Sequence, residues 1–599
     1  MNNSESDLER AATAEGLPVA PSAAPVLEAA RVPLERSLID ARVVLICAWA
    51  IALAIVTGFV AQALVAIIGL VTNISFYGRF STAFVSPANN HLGWLVLFIP
   101  PIGGVIVGLM ARYGSKAIRG HGIPEAMEQV LLNESRIPAR VTFLKPLSAA
   151  ISIGTGGPFG AEGPIIATGG ALGSVLGQIF RTTATERKIL LAAGAAAGMA
   201  ATFGSPVSAV LLAVELLLFE FRPRSLVPVA LASVAASAVR MLLVGTEPIF
   251  GMPMLARPSG EALAMYALVG ALIGWVSVYV TRAVYWIEDL FEHLPVHWMW
   301  WPAIGGVFVG AIGIISPHTL GVGYDNIEGM VAGKIAGEAV IWLCIFKFLS
   351  WSISLGSGTS GGTLAPLFTI GGGCGVALGE LFALSFPRFG IDPRICALVG
   401  MAAMFAGASR ALLASVVFAF ETTLQPLGLL PLLGGCTAGY LVSAMLMRNT
   451  IMTEKLARRG VRVPAEYAAD YLERIHVGDA CSRNVIALRE DQTVDEVHDI
   501  TATHQGFPVV DMHGRLIGVV TRRDFMDRDP DTPLRALIRR PPSVIFPDMS
   551  LRDAADHMVR EDVGRLPVVD RDDPRRLIGI ITRSDLLKVH AKRLDEERT

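Results

Sequence analysis

The chain has 599 residues, 52% hydrophobic and 17% charged, with a net charge of −2 and a mean hydropathy of +0.53. That composition excludes a disordered or coiled-coil chain and an ordinary soluble protein, and the near-neutral balance offers no basic field for nucleic acid. Half of the charged residues fall in the last quarter of the chain, so an apolar membrane body followed by a charged soluble appendage is the first division.

Residues 1–40 are rich in Ala, Pro, Ser and Glu without apolar periodicity and read as a flexible tail with no signal peptide. The run 43–72 is long enough to cross a hydrocarbon core of about 30 Å. Arg31, Arg36 and Arg42 precede it, which argues for a cytoplasmic N-terminus. Further apolar runs occupy 93–112, 189–221, 226–245, 262–286, 301–316, 337–355, 364–384, 393–421 and 426–447. Glycine and proline interrupt several of them. Irregular backbone at membrane depth survives only where protein or a cavity shelters it, so broken helices point to a transport site.

An internal repeat organises this body. Pro164, Gly169, Gly170, Gly173 and Gly177 recur at one constant spacing as Pro366, Gly371, Gly372, Gly375 and Gly379. Gly194 and Glu215 recur, again at one spacing, as Gly400 and Glu421. The repeat implies two pseudo-symmetric halves, parallel or inverted. Glu215 and Glu421 end apolar helices at matched positions, which suggests capping or polar anchoring. The Ala/Gly stripe at 192–201 suggests tight helix packing.

Beyond Met447 the character changes. Arg448, Lys455, Arg458 and Arg459 open a linker over 451–475 and place the C-terminal region in the cytoplasm. Residues 476–590 hold a second repeat: Gly506-Phe507-Pro508-Val509-Val510-Asp511 with Leu516–Thr521, then Gly564–Asp570 with Leu577–Thr582. These β-branched runs predict strands, and helical patterns at 493–504 and 550–561 alternate with them. Two small α/β modules result, 476–530 and 531–590, with a short tail over 591–599. The six cysteines are scattered without a C-x-x-C pair, so neither a metal site nor a disulfide framework is indicated.

Three segments join glycine to a proline that can open a helix: Gly120-His121-Gly122-Ile123-Pro124, Gly160-Ala161-Glu162-Gly163-Pro164 and Gly361-Gly362-Thr363-Leu364-Ala365-Pro366. Proline suits the first helical turn, glycine lets backbone approach a ligand, and the unpaired N–H groups favour an anion. Partial charges bind weakly enough for release, as conduction requires. Glu162 is the sharpest residue, because a carboxylate at membrane depth is costly. Either it competes with the anion for the amide cradle and, protonated or displaced, makes a gate that senses pH and voltage, or backbone amides satisfy it permanently. Lys145 either raises the potential near an anion path or snorkels to the interface.

At these residues the chain resembles the CLC family of chloride channels and proton-coupled chloride transporters, over about 41–460. That family's anion motifs, Gly-Ser-Gly-Ile-Pro, Gly-Lys/Arg-Glu-Gly-Pro and Gly-x-Phe-x-Pro, look like Gly120–Pro124, Gly160–Pro164 and Gly362–Pro366. The resemblance implies a homodimer of inverted-repeat bundles of broken helices, one pore per subunit, with Glu162 as gate. It also implies that the N–H groups of Thr363 and Leu364 face the anion. Three positions depart from the pattern. His121 replaces the anion-contacting serine, and its ring either faces the pore or turns away. Met452 stands at the position of a tyrosine over the ion. Leu216 follows Glu215 where proton-coupled members carry an inner glutamate, and it cannot carry a proton.

The soluble repeat resembles a CBS-domain pair. The Thr521-Arg522-Arg523-Asp524 and Thr582-Arg583-Ser584-Asp585 runs look like that family's ribose and phosphate contacts, through Thr521, Arg522, Asp524, Thr582, Arg583 and Asp585. The resemblance leaves two readings, an adenine nucleotide between the modules or a pair that serves only for dimerisation or linkage, with no other cofactor required. The expectation is a mainly α, multi-pass cell-membrane protein over 41–450, both termini cytoplasmic. It conducts chloride or a similar monovalent anion passively, with proton-coupled antiport as the alternative reading. No Ser-His-Asp set, metal motif or phosphate loop suggests an enzyme.

Overall fold

The computed structural model describes residues 39–461, 463, 472, 475–497, 500, 505–526 and 528–596. The expected N-terminal tail up to 38, residues 462, 464–471 and 473–474 of the linker, 597–599, and 498–499 and 501–504 of the helical pattern at 493–504 lie outside these residues; 591–596 of the expected C-terminal tail continue the helix Arg583–Glu596. Two compact units are present, one over 41–467 and one continuing from 468.

The first half of the membrane unit is α1 (Ala41–Tyr77), α2 (Ile99–Tyr113), α3 (Ile123–Leu132), α4 (Val141–Gly154), α5 (Glu162–Ile179), α6 (Ala184–Phe203), α7 (Pro206–Ala213) and α8 (Pro223–Leu243). The second half repeats this order as α9 (Gly260–Glu292), α10 (Trp301–Ile315), α11 (Tyr324–Val331), α12 (Glu338–Gly356), α13 (Leu364–Ser385), α14 (Pro393–Ser409), α15 (Leu412–Thr423) and α16 (Leu429–Leu446). Among the described residues, eight helices are long and apolar enough to cross a membrane. The apolar runs 189–221 and 393–421 do not fold as single spans. Gly204 and Arg410 take left-handed backbone and break each into two helices. Pro206 restarts the first of these at its N-terminal turn.

The repeat glycines are contact points between backbones. A Cβ on Gly169 would overlap the Gly194 carbonyl and one on Gly194 the Gly169 carbonyl, so α5 and α6 touch main chain to main chain. Gly371 and Gly400 do the same for α13 and α14. With little hydrophobic drive between helices in lipid, this close approach through small residues is what holds such pairs together. Between the halves, Gly160 N–H donates to Gly362 O at 3.2 Å and Gly362 N–H to Gly160 O at 2.9 Å. Repeat-equivalent residues exchanging antiparallel bonds are related by a two-fold axis, so the halves are inverted and the starts of α5 and α13 meet head to head.

Glu215 and Glu421 cap across that axis. Glu215, in the single π-helical turn Val214–Leu218 after α7, accepts from Leu413 and Ala414 N–H at 3.0 and 3.1 Å, at the start of α15. Glu421 accepts from Val207 and Ser208 N–H at the start of α7, both at 2.9 Å. Each carboxylate thus closes orphan donors at the positive end of the other half's helix.

The C-terminal unit is mixed α/β. Strand β1 (Leu488–Arg489) runs parallel to β2 (Gly506–Val510), which pairs antiparallel with β3 (Leu516–Thr521). β4 (Arg565–Val569) and β5 (Leu577–Thr582) form an equivalent hairpin. The modules exchange flanking segments: Val477 packs in the core of the second, and Leu534 and Leu537 pack in the core of the first.

Candidate functional site

All three glycine–proline segments converge. Gly120 forms a bridge with Ser360, and Gly361 N–H donates to Gly120 O at 3.4 Å. A Cβ on Gly163 would overlap the His121 carbonyl oxygen, and one on Gly122 the Gly163 carbonyl. Gly120 and Gly122 have φ of 86° and 97°, a region glycine adopts without penalty, and this lets the loop turn tightly onto α5. Pro124, Pro164 and Pro366 sit in the first turns of α3, α5 and α13.

Glu162 is the first residue of α5 and only 1% exposed. It faces protein, not lipid. Its carboxylate folds back over Gly160, where a side chain would collide with it, and lies against Gly362. Oε1 accepts from the Tyr324 hydroxyl at 3.0 Å, and buried Oε2 has no partner among the described residues. The backbone N–H of Ala365, in the first turn of α13, is directed at the carboxylate. A carboxyl group, negative whenever it is ionised, therefore already sits where two positive helix ends meet. The first intrahelical bond of α13 runs from Leu367 N–H to Thr363 O, so the N–H groups of Thr363 and Leu364 precede the helix's own ladder.

The first motif differs from an open helix start. Gly122 N–H donates to Glu125 Oε2 at 2.7 Å, so α3 is closed by its own acid, and Lys455 pairs with that acid at 3.3 Å. Lys145 does not snorkel: it is 1% exposed, and its Nζ donates to Ile118 O and Gly120 O, each at 2.8 Å. It fastens the Gly120 loop and adds a buried positive charge beside it. His121 is 6% exposed, with Nδ1 unpartnered among the described residues. Gly120 and His121 line a cavity of about 520 Å³ together with Glu125, Tyr285, Ile451 and Lys455.

The sequence profile of the family described as "Voltage gated chloride channel" matches residues 103–444. The chain belongs to the CLC family. The CBS domain profile matches 477–531 and 534–592. Among CLC relatives, the chloride channel protein CLC-f of Arabidopsis thaliana is 28% identical over 575 residues, covering 81% of this chain and 72% of the relative. The H(+)/Cl(−) exchange transporter ClcA of Citrobacter koseri is 28% identical over 428 residues, 67% of this chain and 89% of its own. The crystal structure of a slow cyanobacterial Cl−/H+ antiporter superposes with a TM-score of 0.63 at 25% identity, covering 70% of this chain and 98% of that one.

The CLC departures have definite surroundings. Met452 is fully buried in the turn after α16, beside Ile451, whose carbonyl accepts from the Tyr285 hydroxyl at 2.7 Å. Leu216 is 4% exposed in the π turn. Thr521 Oγ1 donates to Asp524 at 2.7 Å and Thr582 Oγ1 to Asp585 at 2.6 Å, so each pair caps the short or long helix that follows its strand. Four residues around the CLC site carry no signal in the motifs themselves: Glu125, Tyr285, Tyr324 and Lys347. Lys347 was findable, since it stands at the spacing from Lys145 that relates Pro366 to Pro164. Its Nζ donates to Thr319 O and Gly321 O at 3.0 Å each, repeating the Lys145 pattern.

His121→Ser exchanges a buried ring for a hydroxyl at the loop nearest α5. The ratio of chloride to nitrate flux in liposomes is expected to shift about fivefold, the worth of one hydrogen bond. An unchanged ratio would mean that the ring takes no part in selection.

Proposed function

We propose that the protein is a proton-coupled exchanger of chloride or a similar small monovalent anion across a cell membrane. The observation that carries this reading is the Glu162 carboxylate at the junction of the α5 and α13 starts. A carboxylate and a permeant anion compete for the same amides, so one must leave before the other binds. Proton uptake removes the charge that holds Glu162 there; the neutral side chain leaves and an anion takes its place. Proton loss restores the competitor and expels the anion. Lower pH therefore speeds turnover, and each exchange carries a proton. The exchange named for the Citrobacter and cyanobacterial proteins supports this over passive conduction.

Passive conduction is the second reading, and Leu216 favours it, because no proton passes through a leucine side chain. Reversal potentials of the full chain in liposomes under an imposed pH gradient separate the two. Exchange predicts a potential displaced from the anion equilibrium value in proportion to the gradient. A potential fixed at the anion value would overturn exchange and leave the passive pore.

The proposal includes a homodimer and a cytoplasmic position for both termini, which Arg448, Lys455, Arg458 and Arg459 at the end of the membrane unit support. It also includes an adenine nucleotide at the CBS pair. Mass photometry, sided labelling of Cys481 and calorimetry with AMP and ATP test these in turn; a monomer, labelling from outside, or no binding heat would refute each.

A further inference from the structure

Tyr324 is the first residue of α11, the second-half counterpart of α3. Gly321 and Gly323 precede it with φ of 66° and 79°, as Gly120 and Gly122 precede Ile123. Where the first half offers an aliphatic side chain, the second offers a phenol. Its ring is held by Phe203 at 5.9 Å and Phe250 at 6.0 Å, both edge-on, and by Phe84 at 6.4 Å, stacked. Such a clamp leaves the hydroxyl little choice of direction, and it donates to Glu162 Oε1 at 3.0 Å. The other charged groups facing this pair are Lys347, whose field reaches Glu162 from α12, and Asp325, which faces Lys347.

We propose that Tyr324 is a positioning residue that latches the Glu162 carboxylate inside the cradle and thereby sets how often the cradle opens. A phenol donating to an ionised carboxylate makes a strong, charge-assisted bond, and a neutral carboxylic acid accepts a weaker one. Protonation therefore loosens the latch at the moment the charge is lost. Once Glu162 has left, the phenol is a buried donor without its acceptor, a costly state that an entering anion relieves by accepting the same hydrogen. The hydroxyl passes between the two competitors, carboxylate and anion. It supplies from the α11 side the phenol that Met452 does not.

This proposal rests on the Glu162 gate, so its experiment separates the two. Full-length wild type, Tyr324→Phe, Glu162→Gln and the double variant are reconstituted in liposomes, and anion flux is measured from pH 4 to 8. Tyr324→Phe is expected to raise flux about tenfold at neutral pH, the scale of one hydrogen bond to a charged group. It should also move half-maximal flux to higher pH, because the ionised form has lost a donor. In the Glu162→Gln background the same change should leave the flat pH profile unmoved. A Tyr324→Phe variant with wild-type rate and pH profile, beside an altered Glu162→Gln, overturns the latch and leaves the gate. An unaltered Glu162→Gln overturns both. Tyr324→Leu also lacks the hydroxyl and reads the same quantity if the phenylalanine variant does not fold.

Discussion

Glu162→Gln is expected to abolish proton coupling while anion flux persists. Glutamine keeps the shape of the side chain but neither binds nor releases a proton, and its amide donates where the carboxylate repelled. Proton flux driven by a chloride gradient should fall about 10²-fold or more, the range for losing a positioned proton carrier. Anion flux should become independent of pH, because the competitor no longer changes charge. A voltage-clamped bilayer or a pH-dye assay on the same vesicles measures both. Retained coupling in this variant would remove Glu162 from the mechanism, whatever its burial.

Gly163→Ala tests the convergence of the three segments with the smallest possible change. The added methyl has no room: it meets the His121 carbonyl oxygen and comes within 3.0 Å of Gly362 Cα, so every neighbour is backbone. The Gly120 loop, the start of α5 and the start of α13 must separate. Overpacking of this kind costs about 1–3 kcal/mol. Because the displaced atoms form the cradle, transport is expected to fall at least tenfold, with a lowered melting temperature in detergent. Gly260→Ala, in the first turn of α9, is the control, since a Cβ there meets nothing within 4 Å and its backbone is not left-handed. Wild-type transport in Gly163→Ala would mean that the segments do not need this spacing.

The sequence disclosed the repeat and the three segments because both depend on residue types with no substitute. Glycine at a backbone contact and proline in a first turn leave spacing that can be read directly. It disclosed Glu162 for a related reason, since a carboxylate in apolar surroundings is conspicuous. It disclosed interruption by glycine and proline, as at Gly204 and Pro206, but not the break at Arg410, since arginine seldom adopts left-handed backbone. The helices α3, α5 and α11 also escaped as apolar runs, because helices enclosed by other protein need no lipid-facing surface. Closure of α3 by Glu125 was hidden because the acid lies three residues beyond the glycine it caps, just past the end of the motif. Tyr324 escaped because nothing local distinguishes it. Its meaning comes from folding the second half onto the first. Leu216 is one side chain read as a sign of passive conduction; the exchange named for the Citrobacter and cyanobacterial relatives favours the other reading.

The crossed carboxylates of Glu215 and Glu421 bear on how such a chain can assemble and diversify. Neither half supplies the acid that caps its own α7 or α15 start; each takes it from the other. A ribosome delivering the N-terminal half first releases an intermediate whose α7 start still lacks its partner. Between α8 and α9, exposed Thr246 and Glu247, ahead of the buried Phe250 that holds Tyr324, are where extra sequence would be tolerated, and a cut there would yield two fragments expected to complement each other but not to stand apart.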